Sequence, residues 1–404
     1  PLPQIAGFEI LEVLGVGGMG VVYRARQAPP LSREVALKMI KPGMDTSQIL
    51  ARFRREQEAL AAVSHPNIAR VLEAGCTSLG QPYFVMELAR GQAIDKYCAQ
   101  HSSSISEKLN LFLELCVAVQ HAHASGIIHR DLNPSNVLVC EVDGQPTVKV
   151  IDFGVAKALF NVAEEQTRVT QFAQLVGTPT YMSPEQVAIE PTCIDARSDV
   201  FAMGVLLYKL LTGETPLDPR ELKKAEIAEV RSIIRERLPV RPSRRAKTAA
   251  IPRDLDWIVL KALEKSPDRR YQTVNAFADD IHRQLNGRPI QARPPSRIYQ
   301  WSRTTARYRR QFAITASLLL VGTLLGAWSV YQYRQDILVK SSTFEDEGRM
   351  RQMRDSLDLA EAAKVVQMFT ALNEGYFSRI RDTQLPRELD GSFLSTPGWR
   401  PVAG

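Results

Sequence analysis

The run His129-Arg130-Asp131-Leu132-Asn133-Pro134-Ser135-Asn136 is followed fifteen residues later by Ile151-Asp152-Phe153-Gly154. Within that stretch stand two carboxylates, Asp131 and Asp152, each able to accept a proton or to hold a hard cation such as magnesium, and an amide, Asn136, able to hold one. A carboxylate and an amide suit such an ion because it prefers oxygen ligands. No other stretch of the chain restricts the fold as strongly, since the scaffold has to bring these groups together.

The chain has 404 residues, 45% hydrophobic and 24% charged, enough for a two-lobed domain with a sizeable core and a further segment. Its net charge of +7 is local in origin: residues 281–310 hold eight arginines and no Asp or Glu. That pattern is a charged flank rather than a nucleic-acid footprint, so no nucleic-acid partner is expected. The five cysteines are widely spaced without a C-x-x-C pair, which favours reduced, mostly buried thiols. His121 and His123 lack an accompanying Cys or carboxylate cluster and are read as helix surface or core. The sequence opens at Pro1 with no initiator Met and no signal peptide, as expected of a piece of a longer product.

From Phe8 to Met86 the pattern is one of short strands broken by Gly and Pro, with a helix expected from Ser47 to Val63. From Ile105 the apolar spacing becomes helical, in Leu109, Phe112, Leu113 and Cys116 and again in Phe201, Val205, Tyr208 and Leu211. An α+β fold follows, with a small β-rich N-lobe at 8–86 and a larger helical C-lobe at 87–284. Past Gln284, Gly287-Arg288-Pro289 and Ala292-Arg293-Pro294-Pro295 read as a basic linker at 285–311 with no core of its own.

Residues 312–331 carry no formal charge. As a helix they would be about 30 Å long, the thickness of a bilayer core, so a transmembrane helix is expected there. Trp328, Tyr331 and Tyr333 suit an interfacial belt. Arg303, Arg307, Arg309 and Arg310 outweigh Arg334 and Lys340, which Asp336, Glu345, Asp346 and Glu347 dilute. That asymmetry predicts a cytoplasmic N-terminal part and an extracytoplasmic segment at 332–404. Met350, Met353, Leu357, Val365, Met368, Leu372 and Tyr376 suggest a helical stalk, with homodimerisation as an open option.

Four further motifs accompany the first. Gly15-Val16-Gly17-Gly18-Met19-Gly20 is glycine-rich, and Val21-Val22-Tyr23 continues it as a β-branched strand rather than a helix. Val35-Ala36-Leu37-Lys38 precedes the expected helix that bears Glu56, nine residues before His65-Pro66-Asn67. Tyr83-Phe84-Val85-Met86-Glu87-Leu88-Ala89 follows. Downstream lies Gly177-Thr178-Pro179-Thr180-Tyr181-Met182-Ser183-Pro184-Glu185.

In this order, over about 170 residues, these motifs resemble those of eukaryotic-like, membrane-spanning bacterial serine/threonine protein kinases. The resemblance covers about Ile5 to Gln284. It implies transfer of the γ-phosphoryl of ATP to Ser or Thr hydroxyls of protein substrates, with Mg2+, by a membrane-anchored signalling enzyme. Gly15, Val16, Gly17, Gly18 and Gly20 would then cover the phosphates, and Lys38, held by Glu56, would bind them. Val22, Ala36 and Leu138 would sandwich the adenine, with Met86 behind it and the backbone from Glu87 to Ala89 along its edge. Asp131 would accept the hydroxyl proton, and Asn136 and Asp152 would hold the metal. Glu185 is expected to pair with Arg270, and Asp199 to brace the catalytic-loop backbone. Thr167 and above all Thr170 are candidate phosphorylation sites, with Arg130 as the partner of the phosphate.

One residue departs from the family pattern, which has lysine at Asn133. Losing that cation is expected to slow transfer by roughly 10²- to 10³-fold. Lys149 and Lys157 are the cations nearest in sequence that could compensate. The alternative is a pseudokinase, a nucleotide-binding membrane scaffold. A tyrosine kinase is disfavoured by Pro134-Ser135 in the catalytic loop.

Overall fold

The structure, a computed structural model, describes residues 3–17, 20–30, 32–40, 63–78, 80–153, 179–188, 194–246, 250–293, 297–342, 364–368 and 370–371. Within the last long helix it describes the side chains of 315–337. The chain divides into two units, Pro1–Arg309 and Arg310–Gly404.

Five strands open the first unit: β1 (Phe8–Val16), β2 (Gly20–Gln27), β3 (Glu34–Ile40), β4 (Val71–Cys76) and β5 (Pro82–Glu87). They form an antiparallel sheet in the order β1-β2-β3-β5-β4. Period-two alternation divides β3 between two clusters. Val35, Leu37 and Met39 pack with Tyr23, Tyr83 and Val85. Ala36 and Ile40 pack with Phe84 and Met86 on the other face, with Val22 against them. Lys38 shares this second face by alternation, opposite Val22 on β2 and Phe84 on β5. Gly20 is required by the register, because a Cβ there would run into the carbonyl oxygen of Met39. The helix expected at Ser47–Val63 lies outside the described residues apart from Val63, which is buried.

A second sheet joins β6 (Gly91–Ala93), β7 (Val137–Val142) and β8 (Gln145–Val150). Asp143 and Gly144 link β7 to β8 with φ of 50° and 73°, the left-handed pair that a two-residue hairpin turn demands. This turn sets Val137 opposite Val150. Asn136, just before β7, therefore meets Ile151, just after β8, and the Ile151 N–H donates to the Asn136 carbonyl at 2.9 Å. One tight turn thus brings the two candidate metal ligands of the opening motif to the same end of a hairpin.

The helices are α1 (Ile94–Gln100), α2 (Ile105–Ala124), α3 (Ala196–Thr212), α4 (Pro219–Lys224), α5 (Ile227–Glu236), α6 (Pro242–Arg245), α7 (Arg253–Ala262), α8 (Val274–Leu285) and α9 (Arg297–Ser342). Ser104 starts α2 with a reciprocal capping box: its Oγ accepts from the Glu107 N–H, and Glu107 accepts from the Ser104 N–H. Leu109, Phe112, Leu113 and Cys116 are buried along α2, as their spacing predicts. The central helix α3 buries almost every side chain from Ser198 to Leu211 and stops at Gly213, whose φ is 80°. Together α2, α3, α7 and α8 enclose the main core.

Beyond α8 the chain does not leave the C-lobe at once. Gly287 turns it with φ of 66°, and Ile290 is buried in the main core. The N–H groups of Gln291 and Ala292 donate to the Asp280 carboxylate on α8 at 2.7 and 2.8 Å, and the Tyr271 hydroxyl donates to it at 2.9 Å. Residues 287–293 therefore form a strap on the linker side of the expected boundary at 284. Arg297 then begins α9, so helix starts well ahead of residue 312.

Among the described residues no helix is long and apolar enough to cross a membrane. The run at 312–331 is helical and mostly exposed where described, but Thr315, Ser317, Thr323, Gly326 and Ser329 interrupt its apolar character. Phe312, Ala313 and Ile314 precede the described side chains. Of the residues expected to form a stalk, Val365 and Met368 are exposed in the helical stretch 364–368, and Met350, Met353, Leu357, Leu372 and Tyr376 lie outside the described residues.

Candidate active site

Lys38 is 9% exposed and reaches Asp152, with Nζ at 2.6 Å from Oδ1 and in contact with Oδ2. Asp152 has a φ of 60°, a left-handed backbone uncommon for a residue with a Cβ. The ion pair, the end of β8 and this backbone turn together direct the carboxylate to the Lys38 face of the N-lobe sheet. A cavity there is lined by Lys38, Ile40, Val71, Phe84, Met86 and Asp152, among others. Glu56, the expected partner of Lys38, lies outside the described residues, as do Gly18, Thr167, Thr170, Thr178 and Lys157.

Gly15 stands opposite Val22, and Val16, 73% exposed, stands opposite Val21. The Gly17 N–H donates to the Gly20 carbonyl at 2.9 Å. A Cβ on Gly15 would meet nothing within 4 Å, so no contact among the described residues explains the glycine there. Val22, Ala36 and Met86 belong to one cluster, while Leu138 is half-buried on β7 opposite Lys149. At the end of β5 the Glu87 N–H donates to the Arg70 carbonyl at 2.9 Å, and its carboxylate takes Lys149 at 2.7 Å. Ala89, half-buried, follows toward β6. Lys149 also donates to the Pro66 carbonyl at 3.0 Å, which commits it away from Asn133 and ends its candidacy as a compensating cation.

The catalytic loop is held from beneath by α3. Asp199 is fully buried and accepts from the His129 and Arg130 N–H groups, each at 2.8 Å, and contacts the His123 ring Nε2 at 2.7 Å. Burial works to raise the Asp199 pKa, but the hydrogen bond and charge of His123, joined by His129, outweigh it and hold the carboxyl below its usual range. Arg130 adopts a φ of 64° between these contacts. His129 Nδ1 accepts from the Asp131 N–H at 3.3 Å, so its Nε2 carries the proton toward the Ile151 carbonyl at 3.2 Å. Phe153 rests against that ring with centroids 4.7 Å apart.

Asn133 is 4% exposed and turned into the loop. Its Oδ1 accepts from the Ser135 N–H at 2.9 Å and from the Ser135 hydroxyl, and its Nδ2 donates to the Asp131 carbonyl at 3.1 Å. Asn136 Nδ2 donates to the same carbonyl at 2.9 Å. With its NH2 so occupied, Asn136 keeps its amide oxygen for a hard cation, and Asp152 offers a carboxylate beside it. This donor set fits Mg2+. The glycine hairpin and Lys38 likewise fit the phosphates of a nucleotide.

Arg270 grips Glu185 with two parallel bonds of 2.7 and 2.8 Å, and the Ser198 hydroxyl adds a third at 2.6 Å. Gln186 and Glu114, absent from the sequence argument, complete the frame together with His123, expected only as helix surface or core. Gln186 donates through Nε2 to the Arg130 carbonyl at 2.8 Å while its Oε1 accepts from the Ser183 N–H at 2.9 Å and the Ser183 hydroxyl at 3.1 Å. His123 braces Asp199. Glu114 accepts from the Val148 N–H at 2.8 Å, beside Asn67, which donates to the Val148 carbonyl at 2.7 Å. Gln186 sits one residue past Glu185, and that adjacency was the signal available for it. Of the cysteines, Cys98 and Cys116 are buried, Cys140 is half-buried and Cys76 exposed, whereas Cys193 lies outside the described residues.

Residues 8–281 match the family described as protein kinase domain. The serine/threonine-protein kinase PknB of Mycobacterium leprae is 38% identical over 291 residues, covering 70% of this chain and 44% of that protein. PknB of Mycolicibacterium smegmatis is 39% identical over 286 residues, covering 69% and 43%. The chain therefore spans less than half the length of these curated relatives. The crystal structure of the Mycobacterium tuberculosis PknI kinase domain is similar with a TM-score of 0.53 at 26% identity, covering 70% of this chain and 98% of that one. With the two lobes, the hairpin-joined catalytic loop and a match that takes in both, this chain belongs to the protein kinase family, and its kinase domain is of the serine/threonine class.

Proposed function

We propose that the chain transfers the γ-phosphoryl group of ATP to Ser or Thr hydroxyls of proteins, as a membrane-anchored signalling kinase. The observation that carries this is the convergence of Lys38 and Asp152 at 2.6 Å, with Asn136 at the same end of the β7–β8 hairpin. Lys38 binds phosphate oxygens, and Asn136 and Asp152 hold Mg2+, which when bound neutralises phosphate charge. Asp131 takes the hydroxyl proton as the oxygen–phosphorus bond forms and the bond to the ADP oxygen breaks. Because such a transition state is loose, the protein's contribution is mainly positioning and fixed charge.

Regulation by phosphate on Thr170 is part of this reading. It is supported by the buried Nε of Arg130, which has no hydrogen-bond partner among the described residues. Anchoring through 312–331 is supported by the exposed Leu318, Leu320, Leu324, Leu325 and Trp328 of α9 and by the arginine-rich flank before them.

The test is phosphotransfer from labelled ATP with Mg2+, followed by phosphoamino-acid analysis and site mapping. Lys38→Met and Asp152→Ala abolish transfer; near-normal rates in both variants overturn the assignment. No transfer by the wild type, with nucleotide binding intact, makes the chain a scaffold instead. Thr170→Ala lowers activity, and an unmodified segment in active enzyme refutes that regulation. Recovery of the full chain in the soluble fraction refutes the anchor.

A further inference from the structure

The family's lysine is replaced here by an asparagine that has other work. Asn133 has extended backbone, φ −151° and ψ 167°, directly before the 3-10 turn Pro134–Asn136. Its side chain folds forward over that turn, as an N-cap does. A carboxamide both accepts and donates, and Asn133 uses both capacities: Oδ1 receives Ser135, and Nδ2 reaches back to the Asp131 carbonyl. That carbonyl also receives Asn136 Nδ2. A single oxygen therefore ties the backbone of the candidate base to the side chain of a candidate metal ligand, and Asn133 closes the ring on the other side.

We propose that Asn133 is a positioning residue that fixes Asp131 relative to Asn136, not a contact to the transferring phosphoryl group. This rests on the kinase reading above. A lysine has three donors and no acceptor, so it cannot take the Ser135 N–H. Restoring the family's residue would therefore add a cation and at the same time release the turn. In this chain the second effect dominates, because the loop has the asparagine built into its hydrogen bonding and the side chain is nearly sealed from solvent. Ser135 is the matching half of the device, with its hydroxyl donating to the same Oδ1.

The experiment is steady-state kinetics and amide hydrogen exchange on the full chain, comparing wild type with Asn133→Lys, Asn133→Ala, Asn133→Ser and Ser135→Ala. The expected result is a roughly ten- to hundredfold fall in kcat for the lysine and alanine variants, with KM for ATP changed less than about threefold. Asn133→Ser keeps an acceptor for the cap and recovers part of the loss, and Ser135→Ala falls by about two- to fivefold. Exchange across residues 133–136 rises in the lysine and alanine variants while the global unfolding midpoint holds. If Asn133→Lys folds poorly, Asn133→Ser and Ser135→Ala still give the ranking. A kcat for Asn133→Lys at or above wild type overturns the proposal, and so does unchanged exchange across the loop. Absence of transfer by the wild type counts against the kinase reading instead, and the exchange data then still judge the positioning role.

Discussion

Two fully buried aspartates of the helical C-lobe, one on α3 and one on α8, do the same local chemistry. Asp199 receives the N–H groups of His129 and Arg130 and contacts a ring nitrogen of His123; Asp280 receives those of Gln291 and Ala292 and the Tyr271 hydroxyl. In each case two consecutive backbone donors and one side chain satisfy a carboxylate taken out of water. What differs is the segment that is held. Asp199 fixes a loop whose Arg130 is left-handed and whose next residue is the candidate base. Asp280 fixes a strap past the end of the family match, at residue 281, where no reacting group is proposed. Desolvation of a carboxylate costs several kcal/mol, so neither residue is a large net stabiliser. Each instead selects one path for a segment that would otherwise have several.

The strongest way to break this comparison is to replace both carboxylates with amides. An asparagine presents one oxygen and one NH2 group, so one of the two N–H groups loses its acceptor and faces a donor. Both Asp199→Asn and Asp280→Asn are expected to lose about 3 kcal/mol of stability, read from the denaturant midpoint. Activity should separate them. Asp199→Asn also lowers kcat of the folded fraction by roughly 10²-fold or more, because Arg130 and Asp131 shift. Asp280→Asn leaves kcat within about twofold. An equal loss of kcat in both variants would mean that the strap is coupled to the catalytic loop.

The strap itself gives the next largest effect. Ile290 is buried among C-lobe side chains, and Ile290→Ala is expected to cost about 2–4 kcal/mol. Ending the chain at residue 284 removes Ile290 and both N–H donors to Asp280, whereas ending it at 293 keeps them. The longer product should unfold at distinctly higher denaturant. Identical midpoints would reduce the strap to a passive contact.

The legibility of the two regions differed for a physical reason. The catalytic loop, the Glu185–Arg270 pair and the role of Asp199 follow from motifs, because chemistry fixes both the residue types and their spacing; the hairpin that brings Asn136 to Ile151 is visible only in the fold. The strap carries no such mark. One isoleucine among Arg, Pro and Gly has no periodicity, and its partner Asp280 reads as an ordinary charged residue of an amphipathic helix. Asn133 was legible as a missing cation but not as a cap, since residue type reveals charge before it reveals hydrogen-bond partners. Asn-Pro-Ser, with Pro at the first turn position, was the available cue. The onset of α9 at Arg297 was hidden similarly: Pro294 and Pro295 suggest a linker, yet the arginines beyond them are good helix formers.

Acid unfolding sharpens the comparison further. The Asp199 pKa is lowered from its ordinary value of 3.8, since His123 and His129 outweigh the burial that would raise it. The Glu185 pKa is lowered from 4.5, burial again opposing and Arg270 and Ser198 prevailing. A depressed folded value means that the stabilisation is complete above the unfolded pKa and disappears as pH falls through the folded one. Stability should therefore decline below about pH 4.5, steepening below 4. Asp199→Asn should flatten the lower part of that decline. Denaturant midpoints between pH 6 and pH 3 give the test, and equal slopes for wild type and variant would contradict it.

Gln186 provides the smallest and most selective probe. The N–H of Arg130 is fixed by Asp199 and its carbonyl by Gln186 Nε2, so the left-handed residue is clamped on both sides. Only the first clamp belongs to α3; the second comes from the segment that also holds Ser183. Gln186→Ala removes one neutral hydrogen bond to the loop, about 1 kcal/mol, and leaves the Asp199 contacts untouched. Stability should fall by about 1–3 kcal/mol, because the buried Ser183 N–H also loses its acceptor. Catalysis should fall about five- to tenfold in kcat, with KM for ATP unchanged, because the carbonyl next to Asp131 loses its partner. Gln186→Glu reverses the group facing that carbonyl from donor to acceptor, so it should be worse than alanine. If Gln186→Glu matches wild type in kcat, Asp199 alone sets the loop, and the catalytic segment is held from one side, like the strap.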